Sequence, residues 1–220
     1  MKIADILDLF AGLGGQNRRP EMERMGYRYF TLDKDKKFEP TFVEDILDIT
    51  PRDFSSFDFI WASPPCEAFS VASIGKHWTG GKEAYIPKSD HAKLSIEIVK
   101  HTLNFIEEMK PKCWVVENPR GVLRKMPFMQ GLNRQTITYC QYGEFRMKPT
   151  DIWYGGFDWN ARPMCKNGDP CHEAAPRGST TGTQGIKGYA NKSIVPIELW
   201  KDILGAISKS PRRYYEFPNA

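Results

Sequence analysis

At 220 residues with 40% hydrophobic content, the chain is one domain of ordinary size, or one domain with a small appendage, and can bury a full core. Five irregularly spaced cysteines and the lack of an apolar leader at Met1-Lys2-Ile3-Ala4-Asp5 predict a reducing, cytoplasmic setting, not secretion. No stretch is long and apolar enough to span a bilayer, no internal repeat is visible, and a net charge of +4 leans towards an anionic partner.

Ile6 to Phe10 reads as a short apolar strand, followed by Ala11-Gly12-Leu13-Gly14-Gly15. These glycines allow a sharp turn and close approach to a ligand, and the strand-to-helix join presents free amides, as a nucleotide-like cofactor requires. Pro20 predicts that the following helix starts late or bends, and Gly26 ends it. Tyr27 to Leu32 is the second strand. Asp33 stands at its carboxyl end, about 20 residues past the glycine turn, placed to accept hydrogen bonds from ribose hydroxyls. A solvated charge in Asp33-Lys34-Asp35-Lys36-Lys37 is the other reading. Phe42 to Leu47 forms a third short element, with Asp45 as a second acid near the same edge.

Phe57 to Ala62 is a buried strand that stops at Pro64-Pro65, so Cys66 lies just past a strand's carboxyl end. In an open α/β sheet that edge carries the chemistry, which makes Cys66 a candidate nucleophile; a buried structural thiol is the alternative. The polar segment from Ser70 to Lys88 holds His77 and Trp78 between glycines, as a closing loop or as a surface loop whose tryptophan packs on its own domain. Ser89 or Asp90 caps a helix with Leu94, Ile98, Phe105 and Met109 at helical spacing, closed by Pro111. His101 lies near that stripe as a packed side chain.

Cys113 to Val116 is the next buried strand. Pro119 keeps Asn118 extended, so Glu117 is held at a strand end. Gln135 to Cys140 and Asp151 to Tyr154 read as an antiparallel pair added to the sheet edge. From Asn160 to Asn191 the chain is irregular. Cys165, Cys171 and His172 match no standard zinc-ligand spacing, and no metal is assigned. Ile194-Val195-Pro196 opens a last helix with Leu199, Ile203, Leu204 and Ile207 on one face.

Taken together, Asp8 to Gly15, Pro64-Pro65-Cys66-Glu67-Ala68-Phe69-Ser70, Glu117-Asn118 and Gly188 to Pro196 resemble the DNA cytosine-5 methyltransferase family, in a compact, phage-like form. The resemblance implies a Rossmann-like α/β methyltransferase fold, mostly parallel with an antiparallel edge pair. It divides the chain into a catalytic domain (1–154), a much reduced target-recognition region (155–187), and a closing motif and helix (188–220) that pack back on the catalytic domain. S-adenosylmethionine is the implied cofactor. Phe10, Ala11, Gly12, Gly14 and Gly15 would cradle its methionine part and Asp33 its ribose, Asp45 and Ile46 would meet the adenine, and Pro65 and Asn191 complete the set.

By the same resemblance Cys66 is the nucleophile, Glu117 meets the base, and Lys148 stands where the family carries an arginine. Glu67, Pro119, Lys34 and the Arg146-Met147-Lys148-Pro149-Thr150 run depart from the family pattern. Duplex DNA is the expected partner of a monomeric enzyme. His77 and Trp78 would fill the gap left by a flipped base, and Arg120, Arg124, Arg146, Lys166, Arg177 and Lys187 would meet the DNA backbone. A helix amino end and nearby cations are expected to lower the Cys66 thiol pKa. An RNA cytosine-5 methyltransferase and a non-catalytic DNA-binding homologue remain as alternatives.

Overall fold

The computed structural model of the chain describes residues 1–174 and 189–217. Seven strands form one sheet: β1 (Asp5–Leu9), β2 (Arg28–Asp33), β3 (Phe42–Val43), β4 (Phe59–Ala62), β5 (Cys113–Pro119), β6 (Arg134–Thr138) and β7 (Pro149–Gly155), in the order β3-β2-β1-β4-β5-β7-β6. The five-strand stretch from β3 to β5 is parallel, and β7 runs antiparallel to both β5 and β6. This is the Rossmann-like order expected of a methyltransferase, with the antiparallel pair at its edge. The later strand of the pair lies inside, however, so β7 covers β5 and β6 becomes the rim.

Two longer helices flank this sheet as a consequence of strand alternation. Leu7, Leu9, Ile60, Ala62 and Val116 point to one face and pack with α2 (Asp90–Met109). Ile6, Phe59, Trp61 and Val115 point to the other, against α3 (Ile197–Lys209). There Trp61 stacks on Trp200 at 4.1 Å between ring centroids. Leu199, Trp200, Ile203, Leu204 and Ile207 of α3 are all buried, each contributing about 1.5–3 kcal/mol. The closing helix therefore completes the core, as the sequence pattern predicts.

The first helix does not start late: α1 (Gly12–Arg24) begins at the glycine turn and continues through Pro20. Proline removes one amide donor, and tertiary anchors on both sides outweigh that loss. Arg18 is fully enclosed, donating to the Asp8 carboxylate at 2.6 Å and to the Tyr29 hydroxyl at 2.8 Å, and Met22 sits in the core. The Arg18 guanidinium also lies 4.3 Å from the Trp200 ring centroid.

Just past residue 155, Phe157 and Trp159 are buried in the α3-side core, and the Trp159 indole donates to Asp202 at 2.9 Å. No helix among the described residues is long and apolar enough to cross a membrane.

Candidate active site

Strand order reverses between β1 and β4, which opens a crevice at their carboxyl ends. Phe10 leaves β1 with φ of +61°, a left-handed conformation that is strained for a bulky residue and turns the chain abruptly into α1. Gly12, also at positive φ, donates its amide to Asp33 Oδ2 at 2.9 Å, while Asp33 Oδ1 accepts from Asp35 at 2.9 Å. The β2-end carboxylate is thereby fixed beside the glycine turn. Asp45 accepts from the Leu47 amide at 3.1 Å and faces the Lys34 ammonium at 3.4 Å across the outer rim. Lys34, a departure from the family pattern, here neutralises part of the acid edge.

Cys66 lies on a turn fastened to three neighbours. The Asn118 side chain donates to the Pro64 carbonyl at 2.9 Å, the Val122 amide to Phe69 at 2.8 Å, and the Trp78 indole to Ala68 at 2.6 Å. At Gly121 a Cβ would come within 2.1 Å of the Phe69 carbonyl, so only glycine permits the β5 loop to approach the cysteine turn this closely. The thiol and the Glu117 carboxylate consequently open into the same 510 Å³ cavity. Glu117 is 4% exposed and accepts from the Tyr139 hydroxyl at 2.8 Å. The Lys148 ammonium stands 3.9 Å from the same carboxylate oxygen and 4.6 Å from the Tyr139 ring centroid.

That cavity continues from Cys66 to the glycine turn. Phe10, Ala11, Gly12, Gly14, Asp33, Asp45, Ile46, Pro65 and Asn191 all line it with the three catalytic candidates. Its size suits a ligand of nucleoside dimensions. Asp8, Asp33, Asp35, Glu44, Asp45 and Glu117 share its wall with Arg18, Lys34, Lys37 and Lys148, so carboxylates outnumber cations and the balance leans towards a cationic ligand over a phosphate. Gly14 lies under the closing segment, where a Cβ would stand 3.2 Å from Arg18 Nη2 and 3.7 Å from Ile194 Cα. An acid-lined cradle with apolar walls at Leu32, Ile46 and Ile98 fits S-adenosylmethionine, whose sulfonium and ammonium are both positive.

Several sequence expectations are corrected. Gly15 does not line the cavity; its Cβ would sit 2.5 Å from that of Ala11, so it serves helix–strand packing. His77 and Trp78 are 4% and 3% exposed, held by Ser89 and by Ala68 and Phe69, and present no face to DNA. Exposed apolar side chains on that segment include Val71 and Ile86, at 65% and 53%. Arg124 is committed to Asp151, with Nε–Oδ2 at 2.7 Å, and Arg146 is buried, donating to Glu144 and, at 3.2 Å, to the Lys192 carbonyl. Buried charges are paired internally because desolvation makes an open site costly. Arg120 and Lys166 remain exposed, while Arg177 and Lys187 lie outside the described residues.

The thiol is also opposite to expectation. Burial pushes Cys66 up to about 11, Glu117 and Glu67 push the same way, and Lys148 only partly offsets them. Free protein therefore carries a thiol at neutral pH. Iodoacetamide alkylation of Cys66, read by peptide mass, should climb about tenfold per pH unit from 7 to 10; a plateau below pH 8 would contradict this environment.

A family model described as C-5 cytosine-specific DNA methylase matches residues 4–134, more than half of the chain. The chain belongs to that family. As a member it is an S-adenosylmethionine-dependent DNA cytosine-5 methyltransferase domain. A probable DNA (cytosine-5)-methyltransferase of Frog virus 3 is 28% identical over 152 residues, covering 67% of this chain and 69% of the viral protein. The type II methyltransferase M.HaeII of Haemophilus aegyptius is 31% identical over 127 residues, 54% of this chain but only 35% of that enzyme. The solved structure of the Entamoeba histolytica methyltransferase EhMeth overlaps 74% of this chain and 57% of its own, at 14% identity and a TM-score of 0.49. The methyltransferase domain thus spans about a third to two thirds of the length of these relatives.

Residues missed in the sequence are Asp8, Arg18 and Tyr139. Asp8 and Arg18 line the cavity, and Tyr139 holds Glu117. A charge inside the apolar run Ile6-Leu7-Asp8-Leu9 was the available signal, since it demands a buried partner.

Proposed function

We propose that this methyltransferase domain methylates C5 of cytosine in duplex DNA at a short recognition site, through a covalent Cys66 adduct on a flipped-out base. The observation that carries the reading is the continuity of one cavity from the Gly12–Asp33 cradle to Cys66, Glu117 and Lys148. Flipping costs a few kcal/mol of unstacking, and a base inside this cavity exchanges stacking for apolar and hydrogen-bonded walls.

Cys66 Sγ forms a bond to C6 of the ring, and the C5–C6 π pair moves to C5. S-adenosylmethionine, when bound, supplies a methyl group on a sulfonium sulfur as the electrophile. Glu117, oriented by the Tyr139 hydroxyl, is placed to share a proton with ring N3, which carries none in neutral cytosine, and so to stabilise the electron-rich adduct. Lys148 offers a positive charge beside both side chains, balancing the thiolate as it forms. Loss of the C5 hydrogen as a proton then returns electrons to the ring and expels the Cys66 sulfur.

Duplex DNA containing 5-fluorocytosine tests this, because fluorine blocks the last step. Incubation with S-adenosylmethionine should give a stable protein–DNA conjugate whose cross-linked peptide contains Cys66. Glu117→Gln should slow conjugation about 100-fold with a smaller loss of DNA affinity. No conjugate on any duplex, or one at another cysteine, would refute the mechanism.

A further inference from the structure

The irregular segment after residue 160 contains a cluster that the methyl-transfer chemistry does not use. Cys165 and Cys171 are separated by five residues, outside the usual paired-cysteine spacing, yet the fold brings their sulfurs together. Lys166 donates its amide to Asp169 Oδ2 at 2.6 Å, the Asp169 amide returns to the Lys166 carbonyl at 3.1 Å, and Gly168 takes φ of +93°. This tight turn folds Cys171 and His172 back over Cys165. The fourth member comes from elsewhere: Cys140 sits on the turn that follows β6, 25 residues before Cys165.

The four candidate donor atoms all lie within 4.8 Å of one another. Their separations resemble the edges of a coordination tetrahedron rather than covalent links. A tetrahedral zinc with ordinary bond lengths sets sulfur–sulfur edges of about 3.8 Å and sulfur–nitrogen edges of about 3.6 Å. Cys140 and Cys171 sulfurs are 3.7 Å apart, and His172 Nδ1 is 3.7 Å from Cys165 Sγ and 3.6 Å from Cys171 Sγ. Cys140 and Cys165 sulfurs approach to 3.1 Å, about 0.7 Å inside such an edge and far beyond the disulfide bond length of about 2.05 Å.

We propose that Cys140, Cys165, Cys171 and His172 form a structural zinc site. Three thiols and one imidazole fill four positions, so the site is closed and holds no place for substrate. Binding releases three protons as the thiols become thiolates, leaving one net negative charge on the cluster. Supporting contacts surround it: the Gln141 amide approaches Cys171 Sγ at 3.3 Å, and the Cys165 amide donates to Thr138 at 3.1 Å. Placement gives the metal a purpose. It fastens the 161–173 segment to the turn that carries Tyr139, whose hydroxyl holds Glu117.

Metal analysis of reduced, full-length protein, purified without added metals or chelators, is the test. It should show close to one zinc per chain, and a mercurial thiol reagent should release that zinc to an indicator dye. Cys171→Ser should lose at least about half of the metal, whereas Cys113→Ser, on β5, should keep it. Cobalt(II) substitution should give the strong visible absorption of a tetrahedral thiolate complex. Reduced wild-type protein without stoichiometric zinc, or a Cys140–Cys165 disulfide found as its resting state, would overturn the proposal.

Discussion

Cys66→Ala should lower methyl transfer to duplex DNA by at least about 1,000-fold while leaving the fold and S-adenosylmethionine affinity nearly unchanged. The fold is insensitive because the cysteine turn is held by backbone and neighbouring groups. The Cys66 carbonyl accepts from the Phe69 and Ser70 amides, and alanine keeps both bonds. Cofactor affinity survives because the cradle contacts lie at Phe10 to Gly14 and at Asp33. Turnover collapses because no other cysteine lines the cavity. With the thiol near 11, only about one free molecule in 10,000 carries a thiolate at pH 7. The proposed mechanism therefore requires deprotonation to be driven within the DNA complex. Single-turnover assays with calorimetry of cofactor binding would decide; residual activity within tenfold of wild type would remove Cys66 as nucleophile.

The second large effect concerns stability. Arg18→Ala should destabilise the domain by about 3–5 kcal/mol at pH 8, because it forces the buried Asp8 to lose its ion pair or take up a proton at a cost, and also removes the packing of Arg18 on Tyr29 and Trp200. At this chain length that corresponds to a fall in Tm of about 10 °C. The pH dependence has a definite sign. Burial pushes Asp8 up to about 6, against the attraction of Arg18, so the folded state binds its proton more tightly than the unfolded chain does. Stability from this group therefore declines as pH rises from about 4 to 6. Without Arg18 the carboxyl is held protonated to higher pH still, so the variant's deficit should be smaller at pH 5 than at pH 8. Urea unfolding at both values reads this directly; a loss below about 1 kcal/mol at pH 8 would contradict it.

How much of the site was legible follows from what each residue depends on. The glycine turn, Asp33, Asp45, Cys66 and Glu117 were readable because strand ends are local features and the parallel sheet brings successive strand ends to one edge. Charged residues assigned to DNA fared differently. Arg124 and Arg146 look identical in sequence to surface phosphate contacts, but Asp151 pairs with the half-buried Arg124 and Glu144 with the buried Arg146. Trp78 between glycines left open a closing tip or a side chain packed on its own domain, and the structure gives the second, with the indole donating to the Ala68 carbonyl. Arg124 and Trp78 rest on partners 27 and ten residues away, whereas Glu144 is only two positions from Arg146, whose distant partner is the Lys192 carbonyl.

What the amino-acid order alone determined is the parallel half of the sheet, its functional edge and the amphipathic closing helix, since period, proline and glycine act over a few residues. Only tertiary structure decided that Pro20 lies within a helix, that β7 lies inside β6, that Cys66 is held as a thiol and that Cys140 joins Cys165, Cys171 and His172. Burial and desolvation depend on everything that packs around a group, and linear spacing carries no measure of that enclosure.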